Sequence, residues 1–167
     1  PGVGSCAGMF TANSMNCLAE VLGLALPYNG TIPAVFADRI RLAKESGIQM
    51  MELVKKDLLP SQILTQKAFE NAVTVDMAFG GSTNTSLHLP AIAHEMNIEI
   101  TYDDFEKANQ TVPYLTNIQP SGKFLTELFW FAGGVPRVQW EIQDLLDLDV
   151  LTVTGKTLKE NLEDLKR

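Results

Sequence analysis

Cysteine and histidine are both scarce in this 167-residue chain, with two of each. Two cysteines are too few for a disulfide framework, which points to the reducing interior of a cytoplasm, or of an organelle in a eukaryote. The histidines, His88 and His94, stand six residues apart. On a helix that is about 240° of rotation, so they cannot share a metal as a pair spaced by four does. Lysine and arginine number 13 against 20 aspartates and glutamates, a net charge of −7. That balance excludes nonspecific attraction to nucleic acid or an anionic membrane. No uncharged apolar run reaches the roughly eighteen residues of a spanning helix. No basic stretch leads into an apolar one in the manner of a secretory signal.

What is present is an ordinary globular composition, 46% apolar and 20% charged, in one domain's length of chain. No repeat, low-complexity tract or linker divides it, so residues 1–167 read as a single piece without an internal boundary. Pro1 falls inside a motif and the chain ends on Lys166-Arg167. The expectation is a piece of a longer protein.

Ser14, Leu18, Val21, Leu22 and Ala25 repeat at helical spacing, and Glu20 is the only charge between Cys6 and Asp38. This predicts a buried central helix with Cys17 in the core. Pro33 suits the first turn of a second helix carrying Ile32, Phe36, Ile40 and Ala43 on one face, with Gly47 as its stop and a short helix over Met50–Lys56 beyond. Thr65–Phe79 fits another helix better than a buried strand over Ala72–Met77, and Gly80-Gly81 halts either. Ser82–Thr85 offers caps for the next, striped by Leu89, Ile92, Ala93 and Met96, with Pro90 either kinking it or marking a later start. Further helices are expected over 101–110, 124–132 and 136–147, and Thr157 with Glu160 forms a capping box for a last one. Phe129, Trp130 and Phe131 cannot share one helix face, so at least one should meet a neighbour. Missing partner segments would leave apolar surface exposed around them. Ile98–Ile100, Tyr114–Ile118 and Val150–Thr154 read as strands. The expected class is therefore α/β, in helix-rich layers with a few short parallel strands.

Two loops carry the chemistry. In residues 1–16, PGVGSCAGMFTANSMN, the glycines at 2, 4 and 8 permit close backbone approach to a ligand, and Cys6 stands just ahead of a helix. Orphan N–H groups at a helix start favour a thiolate, which suits a soft metal or an iron–sulfur cluster. The alternative is a glycine turn around a core thiol, the commoner fate of a free cysteine. The second loop is Gly80–Thr85, whose glycines, hydroxyls and amide could hold a carboxylate substrate. Ser82, Thr83 and Asn84 are the candidate substrate-side residues there, with His88 one and a half turns on. Ordinary capping and a hydrogen-bonded histidine are the competing readings.

Two other motifs are weaker. Gly2–Ala7 matches a GxGxxA dinucleotide fingerprint, but no strand precedes it and the nearest acid, Glu20, lies within the next helix. Thr154–Thr157 ends like a phosphate loop, yet Val150 stands where that loop requires glycine.

The first loop resembles a signature of the dihydroxy-acid and phosphogluconate dehydratase family. Tyr28–Val35 (YNGTIPAV), Arg39–Gly47 (RIRLAKESG), Ala68–Glu95 (AFENAVTVDMAFGGSTNTSLHLPAIAHE) and Ala132–Pro136 (AGGVP) extend the resemblance over nearly the whole chain. It is nearest to the dihydroxy-acid branch. The resemblance implies a hydro-lyase of branched-chain amino-acid biosynthesis that turns a 2,3-dihydroxy acid into a 2-keto acid. It also implies an iron–sulfur cluster (2Fe–2S or 4Fe–4S) with Cys6 as one ligand, a magnesium site outside these residues, and a homodimer at full length. The other cluster cysteines, the magnesium ligands and the catalytic base have no counterpart here, so the piece alone is expected to be inactive. A sugar-acid dehydratase and a non-catalytic α/β interaction module are the alternatives, with a nucleotide-binding domain a third.

Overall fold

Two segments of this chain are rich in apolar residues, and they become the centre of the molecule. The computed structural model describes residues 6–164. Among them are nine α-helices: α1 (Thr11–Val21), α2 (Ala37–Lys56), α3 (Pro60–Ile63), α4 (Gln66–Phe79), α5 (Thr85–Glu95), α6 (Tyr102–Thr111), α7 (Thr126–Phe131), α8 (Gly134–Glu141) and α9 (Leu158–Asp164). A short 3-10 turn spans Gln143–Leu145.

Helices α1 and α4 pack together at the centre, with α5, α6 and α8 around them. Cys17, Leu18 and Val21 of α1, with Leu22 at its C-cap, share one core with Phe69, Ala72, Val75, Ala78 and Phe79 of α4. Phe69 and Phe79 are fully buried, and each contributes roughly 2–3 kcal/mol by leaving water. The Thr65 hydroxyl accepts the Ala68 N–H at 3.3 Å and starts α4. Gly80 ends it in the left-handed conformation, φ 67°.

The parallel strands of the expected α/β class do not form. Among the described residues only two isolated bridges exist, Ile118 with Phe124 and Leu151 with Thr157. The reason is where the extended segments send their backbone bonds. Leu115 N–H donates to Ala78 O at 2.8 Å, and Val153 N–H to Gly23 O at 2.8 Å. Ile98 N–H turns back to Ala93 O at 2.9 Å. Each segment is consumed by a helix end or a loop, so the fold is helix-rich without a sheet.

Helix α2 also departs from expectation. It begins at Ala37 rather than Pro33 and runs unbroken through Gly47 to Asp57, whose φ of 52° closes it. A glycine inside a helix costs only about 1 kcal/mol, and no atom lies within 4 Å of a Cβ built on Gly47. Leu42 and Leu53 are its buried residues, while Ile40, Met51 and Val54 face outward. Helix α5 runs through Pro90. Of the three consecutive aromatics, Phe129 is buried, and Phe36 meets the rings of Trp130 and Phe131 edge-on at 5.2 and 6.3 Å. Phe131 remains exposed. The Thr157–Glu160 box forms as expected, with Glu160 N–H donating to the Thr157 hydroxyl at 3.3 Å. No helix of the described residues is long and apolar enough to cross a membrane.

Candidate functional site

Cys6 lies in the loop before α1, separated from Thr11 by residues 7–10, and is half-buried. Its carbonyl accepts from Asn13 Nδ2 at 2.9 Å and from the Thr126 hydroxyl at 2.8 Å. Asn13 Nδ2 also donates to Gly8 O at 2.9 Å. From the other side, Met9 N–H donates to Gln119 O at 2.6 Å and Thr126 N–H to Ala7 O at 3.0 Å. A Cβ on Gly8 would sit 2.3 Å from Gln119 O, so only glycine permits this approach. The Cys6 loop is thus held between the first turn of α1 and the segment leading into α7. Gly2 and Gly4 of the same loop lie outside the described residues.

Cys17 is the other kind of thiol. It is fully buried within α1, and its Sγ donates to Gly30 O at 3.5 Å. Burial pushes its pKa well up, with the charges of Glu20 and Asp76 adding to the effect. It is a core residue, as the helical pattern predicts.

The second loop packs onto the same end of α1. Ser82 N–H donates to Ser14 Oγ at 2.9 Å, and Asn84 Nδ2 donates to the Thr11 hydroxyl. Helix α5 then carries His88, half-buried, to an open depression bordered by Thr11, Ala12 and Met15. The structure therefore brings Ser82, Asn84 and His88 to the first turn of α1, whose Asn13 holds the Cys6 carbonyl. Thr83 shares the loop and is exposed; its carbonyl accepts the Ser86 hydroxyl at 2.7 Å. Capping is not what occupies Ser82. The α5 N-cap is Asn84 without a side-chain cap bond, and Ser82 Oγ instead accepts the Asn84 N–H at 3.3 Å in a local turn. His94 is exposed at the far end of α5. No group of three or more acidic, histidine or cysteine side chains is placed to hold a metal ion among the described residues.

Among the described residues two carboxyl groups are buried, Glu20, which the sequence reading placed within a helix, and Asp76, which it passed over. Glu20 sits in α1 and clamps the turn after it: Oε1 accepts Tyr28 N–H at 2.7 Å and Oε2 accepts Gly30 N–H at 2.9 Å. Burial raises its pKa to about 7, against the pull of those N–H groups and of the Arg39 charge. Arg39 holds the same turn through Asn29 O at 2.8 Å. Glu20 thus serves the fold and not a dinucleotide ribose. Asp76, near the end of α4, is hydrogen-bonded through Oδ2 to the Thr85 hydroxyl at 2.6 Å. Burial raises its pKa to about 7 as well. The signal for it was in the sequence: one acid inside the apolar run Ala72–Phe79.

The comparisons agree on one family. Residues 1–161 match the profile of the dihydroxy-acid/6-phosphogluconate dehydratase N-terminal family. The chain is 57% identical to the dihydroxy-acid dehydratase of Acetivibrio thermocellus over 99% of its own length and 30% of that protein's. It is 58% identical to the Ruminiclostridium cellulolyticum protein of the same name, with the same coverage. Against the Nitratidesulfovibrio vulgaris one it is 54% identical, again over 99% of the chain and 30% of the relative. The chain spans about 30% of the length of the curated relatives it matches. With the profile covering nearly every residue and more than half of the aligned positions identical, this chain belongs to the dihydroxy-acid/6-phosphogluconate dehydratase family.

Proposed function

We propose that this chain is the N-terminal part of a dihydroxy-acid dehydratase, a hydro-lyase that converts a 2,3-dihydroxy acid to a 2-keto acid in branched-chain amino-acid synthesis. The observation that carries the reading is the meeting of the Cys6 loop and the Gly80–Thr85 loop at the first turn of α1. The names of the relatives favour the dihydroxy acid over a sugar acid.

Cys6 is the half-buried thiol of the two, set in a loop whose backbone is fixed on both sides, and it suits one ligand position of an iron–sulfur cluster. A complete ligand set needs more thiolates than this chain offers, so the rest of the protein supplies the others. An iron with an open position makes a hydroxyl a better leaving group, which is the demanding part of a dehydration. The remaining work assigned to this chain is binding. Ser82, Thr83 and Asn84 present hydroxyl and amide groups suited to the substrate carboxylate, and His88 borders the same face. The base that takes the proton beside the carboxylate, and the magnesium ligands, belong to segments outside these 167 residues.

The test uses the full-length protein reconstituted without oxygen, with Cys6→Ser beside wild type. Visible absorption of the cluster and turnover of 2,3-dihydroxyisovalerate are recorded on both, with 6-phosphogluconate as the competing substrate. Loss of both signals in a folded Cys6→Ser protein is the expected result. Full absorption in that variant would make Cys6 a loop thiol only, and preferential turnover of the sugar acid would move the protein to the other branch.

A further inference from the structure

The Thr85 hydroxyl has one hydrogen and two oxygens at hydrogen-bonding distance. Asp76 Oδ2 lies at 2.6 Å and Ser82 O at 2.7 Å. Both are ordinary lengths for an O–H···O bond, and both oxygens accept if the acid is ionised. A hydrogen shared between two acceptors makes long, weak contacts, whereas both of these are as short as full bonds; a contact left without its own hydrogen would set lone pair against lone pair. We propose that Asp76 is a neutral carboxylic acid that donates from Oδ2 to Thr85 Oγ1, which in turn donates to Ser82 O, so that a buried proton positions the Gly80–Thr85 loop.

Three independent observations agree. Asp76 Oδ1 is buried with no hydrogen-bond partner among the described residues; a carbonyl oxygen tolerates that far better than a carboxylate oxygen does. Asp76 lies in the last turn of α4, where the negative end of the helix dipole disfavours an anion. No ion pair among the described residues involves it. Cys17 of α1 is the titratable group that interacts with it: the charges of Glu20 and Asp76 both raise that thiol's pKa, which leaves it protonated. Burial pushes the Asp76 pKa up to about 7, in the same direction.

The chain of donors has a purpose in the loop. Ser82 O also receives the Thr85 N–H at 2.9 Å, and Ser82 N–H is committed to Ser14. Both backbone groups of Ser82 are therefore fixed, the carbonyl by Thr85 of α5 and the N–H by Ser14 of α1. Asp76 is a positioning residue: it acts on the loop through Thr85. That it positions substrate-side groups rests on the function proposed above.

Infrared spectra of the full-length protein test the proton directly. At about pH 6, where ordinary carboxyl groups are ionised, Glu20 is protonated as well, so the comparison is made in Glu20→Gln: the difference between its spectrum and that of Glu20→Gln/Asp76→Asn should contain a protonated-carboxyl carbonyl band. A difference spectrum without that band overturns the proposal. If Asp76→Asn does not fold, Thr85→Val serves instead. Removing the bonded hydroxyl should shift the band, and an unshifted band counts against the relay. Asp76→Asn keeps a donor toward Thr85 and should retain a KM near wild type, whereas Asp76→Ala should raise KM several-fold with less change in kcat. A band that behaves as expected, with KM unmoved in Asp76→Ala, keeps the proton but removes the loop from the substrate site.

Discussion

The Ser82 backbone N–H donates to the Ser14 hydroxyl at 2.9 Å across 68 residues of sequence. Ser14 is fully buried in α1, and its hydroxyl passes the bond on to Met9 O at 3.3 Å. One hydroxyl thus links the loop after α4 to the loop that follows Cys6.

Ser14→Ala removes the acceptor for Ser82 N–H and the donor to Met9 O. The expected loss is about 1–2 kcal/mol of stability, the usual cost of stranding a partly buried donor. Urea unfolding reads it. A change within about 0.3 kcal/mol would mean that water replaces the hydroxyl without penalty.

Gly81 lies against Asp76, and a Cβ added there would fall 2.0 Å from Oδ1. Gly81→Ala should therefore destabilise strongly in the wild type and much less in an Asp76→Ala background, where the obstruction is gone. The double-mutant cycle should return a coupling above about 1 kcal/mol. Additive losses would show that the loop moves aside.

The two thiols should differ in access. Cys17 is fully buried with its pKa raised, whereas Cys6 is half-buried in a loop. Alkylation of the native, cluster-free protein followed by peptide mass mapping should label Cys6 and leave Cys17 unmodified until denaturant is added. Equal labelling of both would place α1 outside the core.

Stability should fall as pH rises toward neutrality. Glu20 goes from an ordinary 4.5 to about 7 in the fold, and Asp76 from 3.8 to about 7. A raised folded-state pKa means the native state holds the proton longer than the unfolded chain. The stabilisation is full below about pH 4 and is lost as pH climbs through about 7, on the order of 3 kcal/mol for each group. The carboxyls of Asp104 and Asp147 are shifted downward, so their opposite contribution acts at lower pH. Unfolding curves at about pH 5 and pH 8 should separate clearly in wild type and converge in Glu20→Gln/Asp76→Asn. Parallel behaviour in both proteins would locate the pH dependence elsewhere.

The pattern of apolar residues determined the helical centre. Leu18 and Val21 are buried on α1 and Leu22 at its C-cap, as their spacing requires, and Gln66–Phe79 is a helix with Thr65 as its cap and the glycine stop at its end. Thr157 and Glu160 cap α9 through bonds between neighbours in sequence. These features depend on residues within one or two turns of each other, so local sequence suffices. The family was also legible, because its motifs are contiguous strings.

Tertiary structure alone decided the rest. Ile98–Ile100, Tyr114–Ile118 and Val150–Thr154 have strand composition, but a strand needs a partner, and α4, α5 and the turn at Gly23 claim their backbone groups first. Gly47 reads as a stop, yet α2 continues because nothing in the surrounding fold ends it there. The joining of the Cys6 loop, Ser82 and Asn84 around α1 depends on bonds between residues some seventy positions apart. Glu20 and Asp76 bond to groups only eight to ten positions on, but their burial comes from the helices packed around them. A carboxyl group in a sequence is only a charge, and burial, with the donors that surround it, determines whether it keeps its proton.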